Sequence, residues 1–291
     1  MTRSGGSRCG PRTIAIDAHA HLRRSFEVPT ALDIAAAHFR RALGARRPVG
    51  GEEALLGALL LAETPECHPF FELAGRKSFG VWELAVTGEG ISLLARGPEG
   101  AMLLRVAGRQ VATRERLEVL ALGCRTDLEE GAPVNETLEA VRRAGGLSVL
   151  PWGFGKWWGK RGRIVRRLLD EAWPGELFLG DNGNRPRAAP RPALFGEAEA
   201  RGLSVLPGSD PLPLASHVRR LGSYGLVLPT KLDFATPAER LKSLLRRSSL
   251  PGSWTGRREG PIRFVSDQLR IRARALRHVA DGSDGITVET P

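Results

Sequence analysis

No stretch of the 291 residues approaches the roughly eighteen consecutive apolar side chains of a membrane-spanning helix. A membrane is therefore not an expected partner. The opening MTRSGGSRCGPR is basic but has no apolar run behind it, which argues against a secretory signal. Cysteine is scarce and badly placed for pairing. Cys9, Cys67 and Cys124 are far apart, odd in number and form no CxxC, so neither a disulfide framework nor a zinc knuckle is indicated. A reducing cytoplasm is the expected compartment. The phosphate-cradling GxxxxGK[ST] loop is missing, and no internal repeat or low-complexity tract appears.

What is present is ordinary for a globular chain: 42% hydrophobic and 26% charged residues, enough for one large α/β domain with appendages. The net charge of +11 is unevenly spread. Between Arg240 and Arg277 eleven Lys/Arg face only Glu259 and Asp267, a local net of +9. Such a segment is either a solvated helix face or a surface for nucleic acid or an acidic partner. Only Trp254 and Phe264 interleave aromatically, so a stacking platform for single strands is not supported.

Along the chain, residues 1–12 read as a disordered leader. TIAIDAHAH is an apolar strand running into polar residues. Pro29-Thr30 opens a helix with Leu32, Ala36, Phe39 and Leu43 on one face. ALLGALLLAE is a buried strand or the end of a helix leading into one. A short helix over 65–75 ends at Gly75. From Trp82 to Thr113, apolar stretches broken at Gly-Glu-Gly, Gly-Pro-Glu-Gly and Ala-Gly predict an antiparallel meander, inserted over 81–113. Strands then alternate with helices: LEVLALG, LSVLPW, ELFLGDN, LSVLPGSD and YGLVL, with helices over 135–144, 161–172, 195–201 and 237–246 between or after them. That rhythm predicts a parallel sheet with crossover helices over 13–247, followed by a basic C-terminal extension, 248–291.

In such sheets ligands bind beyond the carboxyl ends of the strands. The first strand delivers Asp17, His19 and His21. Residues two apart in a strand point the same way, so His19 and His21 can offer two imidazoles to one divalent metal. Asp17 would share that side, holding a tautomer or joining the site. Later strand ends present Glu63, Glu118, Asp181 and Asp210, with Glu115 nearby. Any of these acids alone could be a helix cap. Together with the histidines they would suit zinc, manganese or iron and could activate a water. PWGFGKWWGKRGR (151–163) packs three tryptophans, four glycines and four cations into thirteen residues before a helix. Trp152, Trp157 and Trp158 offer a wall. Lys156, Lys160, Arg161 and Arg163 offer an anion site, to which Arg185 and Arg187 could add. The alternative is a loop whose tryptophans cap the core.

IDAHAHL, the run GRQVATRERLEVLALG followed by GAPVNETLEAVRRAGGLSVLP, and LPGSD together resemble the polymerase and histidinol phosphatase (PHP) superfamily over roughly residues 14–230. The resemblance implies a distorted, TIM-like β/α barrel and metal-dependent phosphoester hydrolysis. It departs from the family pattern at Glu63, Gln110, Glu118, Trp152 and Leu212, so only His19, His21 and Asp210 keep the family's ligand types. It therefore implies one or two metal ions, or a site that has lost its metal, rather than a full cluster. The expected protein is a phosphoesterase-like hydrolase. His19, His21, Glu63, Glu118 and Asp210 would hold the metal, and Asp17 and Asp181 would assist catalysis. Trp152, Lys156, Lys160, Arg161 and Arg185 would bind a small phosphorylated substrate. The alternatives are a non-catalytic module holding an anionic ligand at the Trp/Lys loop, and nucleic-acid binding through residues 248–291.

Overall fold

The apolar runs become strands, and the positions where glycine and proline interrupt them become turns. The computed structural model describes residues 13–44, 54–230, 232–247, 250 and 252–280; the leader at 1–12 and the end of the basic extension, 281–291, lie outside them. In chain order the first half contains β1 (Thr13–Ala20), α1 (Val28–Ala42), β2 (Ala54–Leu61), α2 (Phe70–Ala74), β3 (Ser78–Phe79), β4 (Trp82–Val86), β5 (Ser92–Arg96), β6 (Ala101–Val106) and β7 (Gly108–Ala112). The second half contains β8 (Glu118–Leu122), α3 (Val134–Arg143), β9 (Leu147–Pro151), α4 (Lys160–Glu171), β10 (Leu177–Asn182), α5 (Ala193–Ala200), β11 (Val205–Gly208), a 3-10 turn (Ala215–Arg220), β12 (Tyr224–Pro229), α6 (Pro237–Leu245), β13 (Ser253–Gly256) and α7 (Pro261–Ala280).

These strands form two sheets, not a barrel. The larger has the order β13-β12-β1-β2-β6-β5-β4-β3 and the smaller β11-β10-β9-β8-β7. Parallel pairing is confined to β1-β2-β6 and β9-β10-β11; the other neighbours are antiparallel. The expectation of a distorted TIM-like barrel with a meander insertion is thus overturned. Closure needs tilt and stagger that continue around the ring. Here β8 runs against both its neighbours, and β4 and β3 carry the larger sheet outward to a free end. The meander is no appendage either: β6 lies between β2 and β5, and β7 belongs to the other sheet.

The sheets stack face to face. Ile14, Ile16, Leu60 and Leu104 from one meet Leu120, Val149, Phe178 and Leu206 from the other, with Leu241 and Leu245 of α6 joining them. On the outer side of the larger sheet, Leu32, Ala35 and Phe39 of α1 cover Leu59 and Leu103. On the far side, Val141, Val165 and Phe195 of α3, α4 and α5 cover Val119, Leu150 and Leu179. The result is four layers, helix–sheet–sheet–helix. Each buried Leu or Phe contributes about 1.5–3 kcal/mol of transfer free energy.

Two seams join the sheets, and both matter for the site. At one, Asp210 N donates to His19 O at 2.8 Å and Ser209 N to Asp17 Oδ1 at 2.8 Å. At the other, Glu63 N donates to Gly108 O at 3.1 Å and Gln110 N to Glu63 O at 2.9 Å. Glycine permits each approach: a Cβ at Gly208 would overlap the His19 backbone, and one at Gly108 the Leu61 carbonyl.

The basic extension is built into the fold. Its β13 pairs antiparallel with β12. The following helix α7 is seated by buried Asp267 on His217 at 2.9 Å and by Phe264 against Phe154, ring centroids 5.7 Å apart. Just before it, Glu259 pairs with Arg220 at 2.8 Å. No helix among the described residues is long and apolar enough to cross a membrane.

Candidate metal centre

Strand β1 leaves its regular pairing with β2 between Asp17 and Ala20. Ala18 packs in the inner core and Ala20 in the outer one, so the two-residue alternation breaks at this point. Irregularities of this kind re-aim side chains beside sites. His19 and His21 stay together, their rings edge-to-face with centroids 4.9 Å apart. Asp17 has other partners. Fully buried, it accepts from Ser209 N and Oγ, Gly222 N and His19 N, at 2.5–3.2 Å. Burial pushes its carboxyl up, against the pull of those four donors.

His19 Nε2 lies 3.0 Å from His21 Nε2, and the two nitrogens lie 3.6 and 3.4 Å from Asp210 Oδ1. One donor atom from each residue falls within 4.8 Å of the others. Two donors about 2.1 Å from one ion, and about 90–110° apart, stand about 3.0–3.4 Å from each other. The donor set therefore fits a divalent ion, and these three side chains could hold one. Gln110 Oε1, 3.3 Å from His19 Nε2, is a neutral oxygen at the same spot.

The electrostatics suit ligation. Burial, then the nearby Arg23 guanidinium, lowers His21 to about 3, leaving its imidazole neutral. Burial would raise the Asp210 carboxyl, but His19, His21 and Arg23 outweigh it and hold the group below the usual carboxylate range. Arg23 is itself anchored, donating to Pro211 O and Thr64 Oγ1, both at 3.1 Å. His21 Nδ1 meets the buried Cys67 thiol at 3.8 Å. Asp210 has a φ of +45°, the left-handed region that Asp tolerates better than most residues; such strain persists where the surroundings enforce it.

The other expected acids stand elsewhere. Glu63 Oε1 accepts from Phe70 N at 2.5 Å at the start of α2, and burial raises it to about 7. Glu118 is ion-paired with Lys156. Asp181 accepts both arms of buried Arg185, each at 2.7 Å, and the Tyr224 hydroxyl at 2.9 Å. Arg185 is thus spent on Asp181. Arg161 pins the loop through Gly155 O at 3.0 Å, Lys160 is exposed at the start of α4, and Glu115 caps α3 at Val134 N, 2.9 Å away. Trp157 is buried against Phe195, whereas Trp158 is exposed beside Phe154.

Asp210, Glu118, Lys156 and Trp152 line one cavity of about 160 Å³. Across it stand Phe264, Gln268, Ile271 and Arg272 of α7, which the sequence reading had placed in a separate extension. Asn182 and Asn184 also line it. Their Nδ2 groups donate at 2.6 Å to Trp152 O and Asp210 O, leaving both buried Oδ1 atoms without a partner. Gln110, a position where the chain departs from the PHP ligand pattern, is brought to His19 by the seam between the sheets, and nothing in its local pattern marks Cys67.

No family model and no curated protein matches the chain. Among solved structures, the fold is similar to the crystal structure of PsfC from Pseudomonas syringae PB-5123. The TM-score is 0.52 at 17% sequence identity, over 91% of this chain and 100% of that one. This likeness concerns the fold alone.

Proposed function

We propose that the chain is a single-metal, PHP-like hydrolase acting on a small phosphorylated substrate. The observation that carries this reading is the convergence of His19, His21 and Asp210 beside a cavity that also holds Lys156 and Arg272. The imidazoles supply nitrogen donors and Asp210 supplies charge. His19, His21 and Arg23 keep that carboxylate ionised, and Arg23 also holds the neighbouring Pro211 carbonyl. When bound, a zinc, manganese or iron ion supplies a Lewis acid and lowers the pKa of a coordinated water. One ion is favoured over two, because Glu63, Glu118 and Asp181 are each engaged by another partner. Arg272 draws an anion toward the donor set, while Trp152, Phe264 and Ile271 shield it from water. A cavity of about 160 Å³ is below the roughly 300 Å³ of drug-sized sites, favouring a phosphomonoester of a few carbons over a polynucleotide.

Those engaged acids also favour a second reading, a module that retains an anionic ligand without turning it over. Metal analysis of untagged protein purified without chelators, with turnover assayed on a panel of small phosphomonoesters, tests both. The hydrolase reading expects about one ion per chain and hydrolysis, both lost in His21→Ala and Asp210→Asn. Metal-free protein that binds phosphate without hydrolysing any ester would replace it with the module.

A further inference from the structure

A second concentration of positive charge lies away from the metal centre. A cavity of about 620 Å³ is lined by Arg41 of α1, Arg219 and Arg220 of the 3-10 turn, Arg257 after β13, and Arg263 in the first turn of α7. It shares no lining residue with the cavity at Asp210. No carboxylate lines it. Several other surface arginines are matched: Arg166 with Glu197, Arg191 with Glu199, Arg201 with Asp170, Arg142 and Arg143 with Glu139. Among the described residues, no carboxylate pairs with Arg41, Arg219 or Arg257, nor with Arg263.

Two further features point to a ligand. Arg220 is fixed by Glu259 and by Gly183 O at 2.7 Å, yet its buried Nε has no acceptor. Ser223 Oγ, on the same lining, is also buried without a partner. Arg220 Nε can only donate and the Ser223 hydroxyl can donate too, so an acceptor would satisfy both. Arg263 stands near enough to Arg220 to oppose its charge, a repulsion that a bound anion would relieve. The start of a long helix adds peptide N–H groups of the same electrostatic sign. No Phe, Tyr, Trp, Leu, Ile or Val lines the cavity, so its surface is polar, with the His38 and His217 imidazoles as its only rings. Its volume falls within the range of small-molecule sites.

We propose that this cavity binds a small polyphosphate, a molecule with two or more phosphate groups held by bidentate arginine contacts. It is a second ligand site, independent of the metal. Its wall is continuous with the seating of α7, since His217 both accepts from Leu212 N at 3.2 Å and holds Asp267. Isothermal titration of inorganic triphosphate into the full chain tests it. The expected result is one site whose affinity falls with added salt. It should weaken at least tenfold in an Arg219→Ser/Arg257→Ser variant, whose circular dichroism and melting temperature match the parent. It should persist in His19→Ala/His21→Ala. Absence of binding at millimolar triphosphate overturns the proposal, as does equal affinity in the double arginine variant. Loss of binding on Lys156→Ala alone would move the anion to the metal-site cavity. Tighter binding of a 20-base-pair duplex through the same arginines would replace the small ligand with nucleic acid.

Discussion

Asp210 is tied to His19 twice: its backbone N–H donates to the His19 carbonyl at 2.8 Å, and its carboxylate lies 3.6 Å from the His19 ring nitrogen. The seam that joins the sheets is therefore also what assembles the donor set. A hydrogen-bonded backbone fixes the spacing, so the side chains need not find each other. Metal binding and the seating of β11 on β1 should be coupled as a result.

That coupling gives the first expected outcome. An ion at a hundred times its dissociation constant stabilises the folded state by about 2.7 kcal/mol. For a chain of 291 residues that is a rise in melting temperature of about 4–5 °C. Scanning calorimetry with added zinc or manganese, against chelator, should show it in the parent and not in Asp210→Asn. The same melting temperature in all four conditions would remove the metal centre.

Asp17 should behave differently. It accepts from Ser209 twice, from Gly222 and from His19, all in a fully buried setting. Asp17→Ala strands several donors at the seam, each worth about 1–3 kcal/mol if unsatisfied. A loss of about 3 kcal/mol or more in denaturant unfolding is expected with chelator present, so that no metal contributes. A variant as stable as the parent would show that the seam does not depend on this carboxylate.

The contrast between Asp17 and His19 also shows what was legible in the sequence. Strand β1 and the pairing of His19 with His21 follow from apolar patterning and two-residue spacing. The break between Asp17 and Ala20 does not, because a register shift leaves no local compositional mark. Strand positions were likewise readable from the apolar runs, as at Leu147–Pro151 and Leu177–Asn182. Strand direction was not: α3 separates β8 from β9, as in a parallel crossover, yet the two run antiparallel. Direction depends on the path of the 123–133 connection, about which an apolar run says nothing. Arg185 reads as an addition to the cationic rim of the 151–163 loop, because the sequence does not show that Asp181, four residues earlier, takes both arms of its guanidinium.

Glu63 supplies a dependence on pH. Its ordinary value of 4.5 is raised to about 7, first by burial, with Phe70 N, Arg105 and Arg109 pulling the other way. Below pH 4.5 the group is protonated folded or unfolded, and its burial carries no ionic penalty. Between 4.5 and about 7 the folded chain keeps a proton that the unfolded chain has lost, so stability falls as pH rises. Above about 7 the full penalty is present, at most about 3 kcal/mol. In Glu63→Gln, whose amide oxygen can still accept from Phe70 N, this slope should vanish from urea titrations run between pH 4.5 and 7.5. A slope unchanged by the substitution would assign it to another group.

Arg185 separates a structural role from a substrate-binding one. Its guanidinium is buried and bidentate on Asp181, which also accepts from Tyr224. Burial, then the Asp181 charge, holds the Tyr224 hydroxyl above its usual range, so it remains a proton donor to that carboxylate. Removing one partner of a buried pair leaves an uncompensated charge, which typically destabilises by about 3–5 kcal/mol. Replacing both partners with apolar side chains removes that charge. Arg185→Met should therefore be strongly destabilising, and Asp181→Leu/Arg185→Met should recover most of the loss. Were Arg185 instead a substrate ligand, the single variant would keep its stability and weaken phosphate binding, and the second substitution would restore nothing. A double-mutant cycle read by urea unfolding distinguishes the two, because only the buried pair predicts a coupling of several kcal/mol in the absence of any ligand.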